Sequence, residues 1–148
     1  LMAWLALQRR MRARFAPQVH ALGFSRWKKP IVRAFFGGSE VAFVKRPAQV
    51  PAGATLAVWG RREVAGAGPL QQVVRLEDGF LRSVGLGADL VRPLSWVMDT
   101  RGIYYDAAMP SDLERLLATA VFDETLVARA RRLRERIAAE GITKYNVG

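Results

Sequence analysis

Four short apolar runs govern what this chain can fold into: Val41-Ala-Phe-Val44, Leu56-Ala-Val-Trp59, Val73-Val-Arg-Leu76 and Leu94-Ser-Trp-Val-Met98. Each is bounded by glycine, proline or charge, and each is too short for a helix to bury a stripe. Runs of this kind suit strands buried on both faces of a parallel sheet. Helical patterns lie on either side of them, so the expected class is α/β, a Rossmann-like unit with a short, mostly parallel sheet flanked by helices. At 148 residues the chain suits one such domain. In sheets of this class ligands gather beyond the carboxyl ends of the strands. The loops after residues 59, 76 and 98 are therefore the ones to read for function.

Around the runs, Trp4, Leu7, Met11, Phe15, Val19 and Leu22 fall on one stripe at 100° per residue, which predicts an amphipathic helix over 3–22, interrupted at Pro17 and closed by Gly23. A second helix begins near Pro30 and stops at Gly37-Gly38, with Trp27 packed beneath it. Ile103-Tyr-Tyr105 is expected to pair with 94–98 as a hairpin through the Asp99-Thr-Arg-Gly102 turn. Ser111 and Glu114 have the spacing of a capping box. A long helix follows from about Asp123 to Glu140, with Leu126, Ala130, Leu133 and Ile137 on one stripe and Gly141 as its stop.

Charge and composition remove several function classes. Lys and Arg number 23 against 13 Asp and Glu, a formal net charge of +10. The excess sits before residue 77: residues 1–76 carry 13 basic and 2 acidic side chains, residues 77–148 carry 10 and 11. It is densest over residues 9–33, an attraction for an anionic partner such as phosphate, a sugar acid or an anionic membrane surface. No zinc finger, helix-turn-helix or aromatic RNA-binding signature accompanies it, so no nucleic-acid partner is expected. With no cysteine and a single histidine, His20, no metal centre of the thiolate or histidine-cluster type is expected. The apolar start, Leu1 to Leu7, breaks at Gln8-Arg9-Arg10, short of the ~20 residues that span a bilayer. A chain opening on Leu1 rather than methionine reads as a segment of a longer protein.

The densest chemistry follows the third run. Glu77 and Asp78 are adjacent carboxylates, followed by Gly79, Arg82, Ser83 and the Gly85-Leu-Gly87 pair. Adjacent carboxylates repel when both are ionised, and burial can then tune one of them as a proton donor or acceptor. Arg82 can pin one of the pair or take a substrate carboxylate or phosphate bidentately. The same residues also fit a plain chain reversal at Asp78-Gly79 with Glu77 capping a helix. Asp99, Tyr105 and Asp106 cluster at the expected hairpin, where turn and strand-end roles compete with ligand contact.

These residues carry a resemblance. The run from Arg75 to Leu90, containing Glu-Asp-Gly-Phe-Leu-Arg-Ser-Val-Gly-Leu-Gly, then Pro93-Leu-Ser95, Asp99, Gly102-Ile-Tyr-Tyr-Asp106, Pro110-Ser-Asp-Leu-Glu114 and Lys144-Tyr-Asn146, resembles the capsular polysaccharide biosynthesis and export family. Its members resemble retaining β-Kdo transferases, which move 3-deoxy-manno-octulosonic acid (Kdo) from its CMP donor. The resemblance covers residues 24 to 148. It implies a catalytic module of two Rossmann-like halves facing a cleft, of which this chain corresponds to the first and the Lys-Tyr-Asn segment lies near its end. The second half carries a Gln-Val motif with a nearby Asp proposed as nucleophile, and a His-Pro motif that contacts the nucleotide. No His-Pro pair occurs in this sequence, where His20 is followed by Ala21.

By that resemblance Glu77 or Asp78 is the cleft acid or base, and Gly79, Arg82, Ser83, Asp99, Tyr105, Asp106, Lys144 and Asn146 are candidate substrate contacts. No cofactor is implied beyond the sugar-nucleotide donor CMP-Kdo. The implied partners are that donor, an anionic glycolipid acceptor and capsule export proteins, with a cytoplasmic location peripheral to the inner membrane. The competing class is a non-catalytic module that docks on anionic lipid or on partners. Trp59 and the loop Ala65 to Leu70 are expected to be exposed apolar surface.

Overall fold

The computed structural model describes residues 15, 17–70 and 72–147. Its centre is a five-stranded sheet built from β1 (Gln18–Leu22), β2 (Glu40–Val44), β3 (Thr55–Trp59), β4 (Gln72–Asp78) and β5 (Trp96–Asp99), in the order β2-β1-β3-β4-β5. β1 through β4 run parallel, and β5 is antiparallel to β4. The described helices are α1 (Lys28–Phe35), α2 (Asp112–Thr119) and α3 (Glu124–Ala139). The fold is α/β with a mostly parallel sheet, as the apolar runs predict.

The sheet has two unlike faces because strand side chains alternate. Val19, Ala21, Ala57, Val74 and Leu76 point to one face, where Val32 and Phe36 of the α1 segment and Phe15 cover them. Leu22, Leu56 and Val58 point to the other, where Val50, Val64 and Leu70 from loops close over them. Fully burying a Val or Leu side chain contributes ~1.5–3 kcal/mol, so the two central strands hold the fold together. The loop before β4 is thus tied down at Val64 and Leu70, while Ala65, Gly66, Gly68 and Pro69 between them are exposed, as expected of this loop.

Two further expectations are corrected. The helix over 3–22 does not reach its expected end: residues 18–22 form β1, between β2 and β3, with Val19 and Leu22 on opposite faces. Residues 3–14 and 16 of that helix lie outside the described part. The hairpin of 94–98 with 103–105 does not form. β5 starts at Trp96 and pairs with β4, Trp96 opposite Asp78, while Tyr104 packs on Phe80 with ring centroids 5.0 Å apart. The Asp99 turn itself is present, because Asp99 Oδ1 accepts the N–H groups of Arg101 and Gly102, each at 2.9 Å.

α2 starts with the capping box foreseen: Ser111 Oγ accepts the Glu114 N–H, and Glu114 Oε2 accepts the Ser111 N–H at 2.7 Å. Those bonds hold the Glu114 carboxyl below its ordinary value of 4.5, so the cap is intact above that value and is lost as pH falls through the lowered one. α3 carries its arginines on solvated flanks, but its stripe is also uncovered: Leu126 and Leu133 are exposed.

Candidate active site at the carboxyl ends of the parallel strands

β1 leads to β2 on one side and β3 stands on the other, so the order of strands reverses between β1 and β3. Such a reversal leaves a crevice beyond the carboxyl ends, which is where open α/β sheets bind ligands. A cleft of about 420 Å³ occupies that place. Trp27 and Lys28 reach it from the start of α1 beyond β1, Trp59 from the end of β3, Glu77 and Asp78 from the end of β4, and Arg82, Leu86 and Gly87 from the loop beyond, with Tyr145 closing one side.

Glu77 and Asp78 belong to the last two positions of β4 rather than to the loop after it. Alternation then gives them different partners. Glu77 Oε1 accepts the Asp78 N–H at 2.9 Å, and Oε2 accepts the Tyr105 hydroxyl at 3.3 Å. Burial first, then the Glu77 charge and that hydrogen bond, push the Tyr105 phenol above its ordinary value, so it remains a donor to the carboxylate. The backbone at Gly60 permits this approach: its φ is +56°, and a Cβ there would stand 2.8 Å from the Tyr105 hydroxyl. Asp78 Oδ2 instead lies 2.9 Å from Nε of Arg82. That contact is ionic rather than an aligned hydrogen bond, since Nε has no acceptor along its N–H direction.

Arg82 is 2% exposed, and its Nη1 donates to Ser83 Oγ at 2.8 Å and to the Val91 carbonyl at 3.1 Å. Ser83 passes the chain of bonds to the Gly85 carbonyl at 2.7 Å. The loop 82–85 is clipped to the Lys-Tyr-Asn segment: the Arg82 and Gly85 N–H groups donate to the Lys144 and Tyr145 carbonyls, and Asn146 Nδ2 donates to the Ser83 carbonyl at 3.0 Å. Lys144 and Asn146 therefore hold the loop, and the side chain that this clip brings to the cleft is Tyr145.

Gly79 sits where β4 crosses close to Ser95, whose hydroxyl donates to the Leu81 carbonyl. A Cβ at 79 would lie 2.0 Å from Ser95 Oγ and 3.0 Å from the Ser95 carbonyl carbon. Gly79→Ala is thus expected to cost ~1–3 kcal/mol, read as a lower urea midpoint at unchanged m. Ser95→Gly in the same chain should recover part of that loss, because Oγ and Cβ are the nearest obstacles.

The other candidates stand elsewhere. Asp99 is 1% exposed and all its contacts are internal, Oδ2 taking the Asp112 N–H at 2.9 Å. Asp106 faces Arg61 at 3.6 Å and accepts the Ala108 N–H. Neither lines the cleft, whereas Tyr105 reaches its edge through Glu77. Trp27, Lys28, Trp59 and Tyr145 were not singled out as site residues from the sequence, yet they form its walls.

Lys28 is the second cation of the cleft. Its Nζ lies 3.4 Å above the Trp59 ring centroid and 5.8 Å from that of Trp27. Burial lowers its pKa from the ordinary 10.5, while Asp78 and Glu77 pull it back up and Arg82 lowers it. The native chain accordingly releases this proton at lower pH than the unfolded chain does. Between those two values the unfolded state binds more protons, so this group makes stability rise with pH there. A ¹⁵Nζ titration should place Lys28 below 10.5, and Asp78→Asn should move it lower still; a midpoint at or above 10.5 would contradict the desolvated setting.

Among the described residues no helix is long and apolar enough to cross a membrane. Of the basic stretch 9–33, residues 9–14 lie outside the described part, and Lys29 and Arg33 are laid over the Phe43 ring at 5.0 and 4.9 Å.

Comparison with known proteins matches residues 54–147 to the family model described as "Capsule polysaccharide biosynthesis protein". The chain is 38% identical to the lipopolysaccharide-processing protein LpsZ of Rhizobium meliloti, over 89% of this chain and 34% of that protein. It is 33% identical to the capsule polysaccharide modification protein LipA of Neisseria meningitidis serogroup A, over 98% of this chain and 22% of LipA. Among solved structures it is similar to the Thermosulfurimonas dismutans KpsC β-Kdo 2,4 transferase, with a TM-score of 0.69 and 35% identity over 86% of this chain and 42% of that one. The KpsC β-Kdo 2,7 transferase of the same organism gives a TM-score of 0.63 and 33% identity, over 81% and 41%. The chain thus spans about a third or less of the two curated relatives and about two fifths of the two solved chains.

Proposed function

The chain belongs to the capsule polysaccharide biosynthesis protein family, and from that membership we propose that its cleft is one side of a glycosyl-transfer site that moves Kdo from CMP-Kdo to a lipid-linked acceptor. The observation that carries the reading is Glu77 at the carboxyl end of β4, lining a cleft at the strand-order reversal beside Trp27, Trp59 and Tyr145. Aromatic walls with a few placed polar groups suit a sugar ring, and a carboxylate within reach of a hydroxyl suits its deprotonation. Glu77 is the general base toward the acceptor hydroxyl. Asp78 and Arg82 hold the loop that shapes the cleft.

The donor nucleotide is assigned to a part of the protein outside these 148 residues, so the chain by itself is expected to give no turnover. A lipid-linked acceptor would place the protein at the cytoplasmic surface of the inner membrane, in reach of capsule export proteins. The competing reading, a non-catalytic docking module, would bury both carboxylates in internal bonds; each Glu77 oxygen does take one internal bond and Asp78 rests against Arg82, but both carboxylates still line the open cleft, which favours the transfer reading. The test is CMP release by a full-length parent given CMP-Kdo and a Kdo-terminated glycolipid. Transfer of one sugar per CMP released supports the reading, and binding of the glycolipid with no CMP release favours the docking module.

A further inference from the structure

Among the described residues the cleft is lined by two cations, and their surroundings divide the work between them. The Arg82 guanidinium is almost wholly buried, with Nε against Asp78 and Nη1 bonded to Ser83 and Val91, so most of it serves the loop it organises. Lys28 differs in every respect. Its ammonium lies in the cleft wall on the Trp59 face, and among the described residues it has no carboxylate within 4.0 Å and no side-chain hydrogen bond.

An ammonium held over an indole has its charge partly desolvated on one side while the N–H groups directed away from the ring stay unsatisfied. The nearby carboxylates of Asp78 and Glu77 stabilise that charge without neutralising it by contact. The indole beside it offers a flat apolar surface.

We infer that Lys28 is the specificity-determining residue of the cleft, taking the carboxylate of an acidic sugar whose ring lies against Trp59. The inference rests on the glycosyl-transfer reading and narrows it to one subsite. A charged carboxylate accepting from an ammonium makes a strong, charge-assisted bond, and a neutral ester at the same carbon cannot replace it. Phosphate would satisfy the ammonium equally well but would leave the aromatic wall unused. Shape therefore favours the sugar acid over a bare anion.

The experiment is an NMR titration of the 148-residue chain with free Kdo, with its methyl ester and with inorganic phosphate, following the Lys28 Nζ and Trp59 indole signals. Kdo is expected to shift both signals and to bind about 10- to 100-fold more tightly than the ester. Lys28→Met should bring acid and ester to one common weak affinity with the amide spectrum otherwise preserved. Lys28→Arg, which keeps the charge, should retain most of the discrimination and serves if the Met variant does not fold. An acid-to-ester ratio unchanged in Lys28→Met overturns the assignment of Lys28 alone, as does phosphate that shifts the same two signals as tightly as Kdo. If neither sugar shifts any signal of the cleft, the assignment and the glycosyl-transfer reading fall together.

Discussion

Replacing Glu77 by Gln in the full-length parent should lower turnover at least about a hundredfold, because positioned proton transfer typically contributes ~10²–10⁴ in rate. The same change should leave thermal stability nearly untouched. Glu77 is a half-buried side chain; in Gln the amide oxygen can still accept the Asp78 N–H, and the amide nitrogen can donate to the Tyr105 hydroxyl oxygen, which rotates its own proton away. Asp78→Asn makes the contrasting case. It takes the counter-charge from a guanidinium whose side chain is 3% exposed, and breaking a buried pair on one side costs ~3–5 kcal/mol. Its activity loss should therefore arrive with a fall in the melting temperature, whereas that of Glu77→Gln should not. Full turnover in Glu77→Gln would reduce this residue to a strand end and remove the base from the mechanism. Tyr105→Phe is expected to lie between, since it deletes one hydrogen bond to the carboxylate and leaves the carboxylate in place.

Why Glu77 and Asp78 stood out in the sequence while Lys28 and Trp59 did not has a physical explanation. β2, β3 and β4 are legible because strands buried on both faces read as unbroken apolar runs, and the carboxylates follow one such run directly. β1 hides. Its five residues contain Val19 and Leu22, three apart, which continue a helical stripe from Trp4 and Phe15, and periodicity cannot separate so short a buried strand from a helix turn. Only the sheet decides: Val19 pairs with Val41 on one side and Thr55 on the other, which puts the segment in its middle.

Once residues 18–22 are taken as helix, residues 23–28 cease to look like a loop at a carboxyl end. Trp27 and Lys28 then lose the one signal that would have marked them. Trp59 was expected as exposed apolar surface; in the fold it is half-buried in the cleft wall, its ring meeting Phe24 at 6.5 Å and Trp96 at 5.1 Å, both edge-on. Partner choice for β5 was likewise beyond local pattern. The turn residues after it are those of a hairpin, and the turn forms, but β4 offers a longer edge than 103–105 does.

Asp99 was read as a possible ligand contact at that hairpin, and its surroundings predict a large structural effect instead. Its two carboxylate oxygens gather three backbone N–H groups from two segments, Arg101 and Gly102 in the turn and Asp112 at the first position of α2. Asp112 in turn accepts the Thr100 N–H at 2.7 Å and its hydroxyl at 2.8 Å, so the end of β5 and the start of α2 are tied reciprocally. Asp99→Ala strands three donors where the residue is 1% exposed, and even one unsatisfied buried donor costs ~1–3 kcal/mol. Allowing for water reaching the two half-buried donors, the loss should be about 3 kcal/mol, a large part of what holds a domain of this size together. Asp99→Asn separates the two oxygens: with its Oδ1 on Arg101 and Gly102, its amide nitrogen faces the Asp112 N–H, donor against donor. It should lose about half as much, and hydrogen exchange should show the Asp112 and Leu113 amides exposed while those of β4 stay protected. If Asp99→Ala instead melted with the parent and only weakened sugar binding, the residue would belong to the cleft after all, and the tie between β5 and α2 would have to be carried by Thr100 and Arg101 on Asp112.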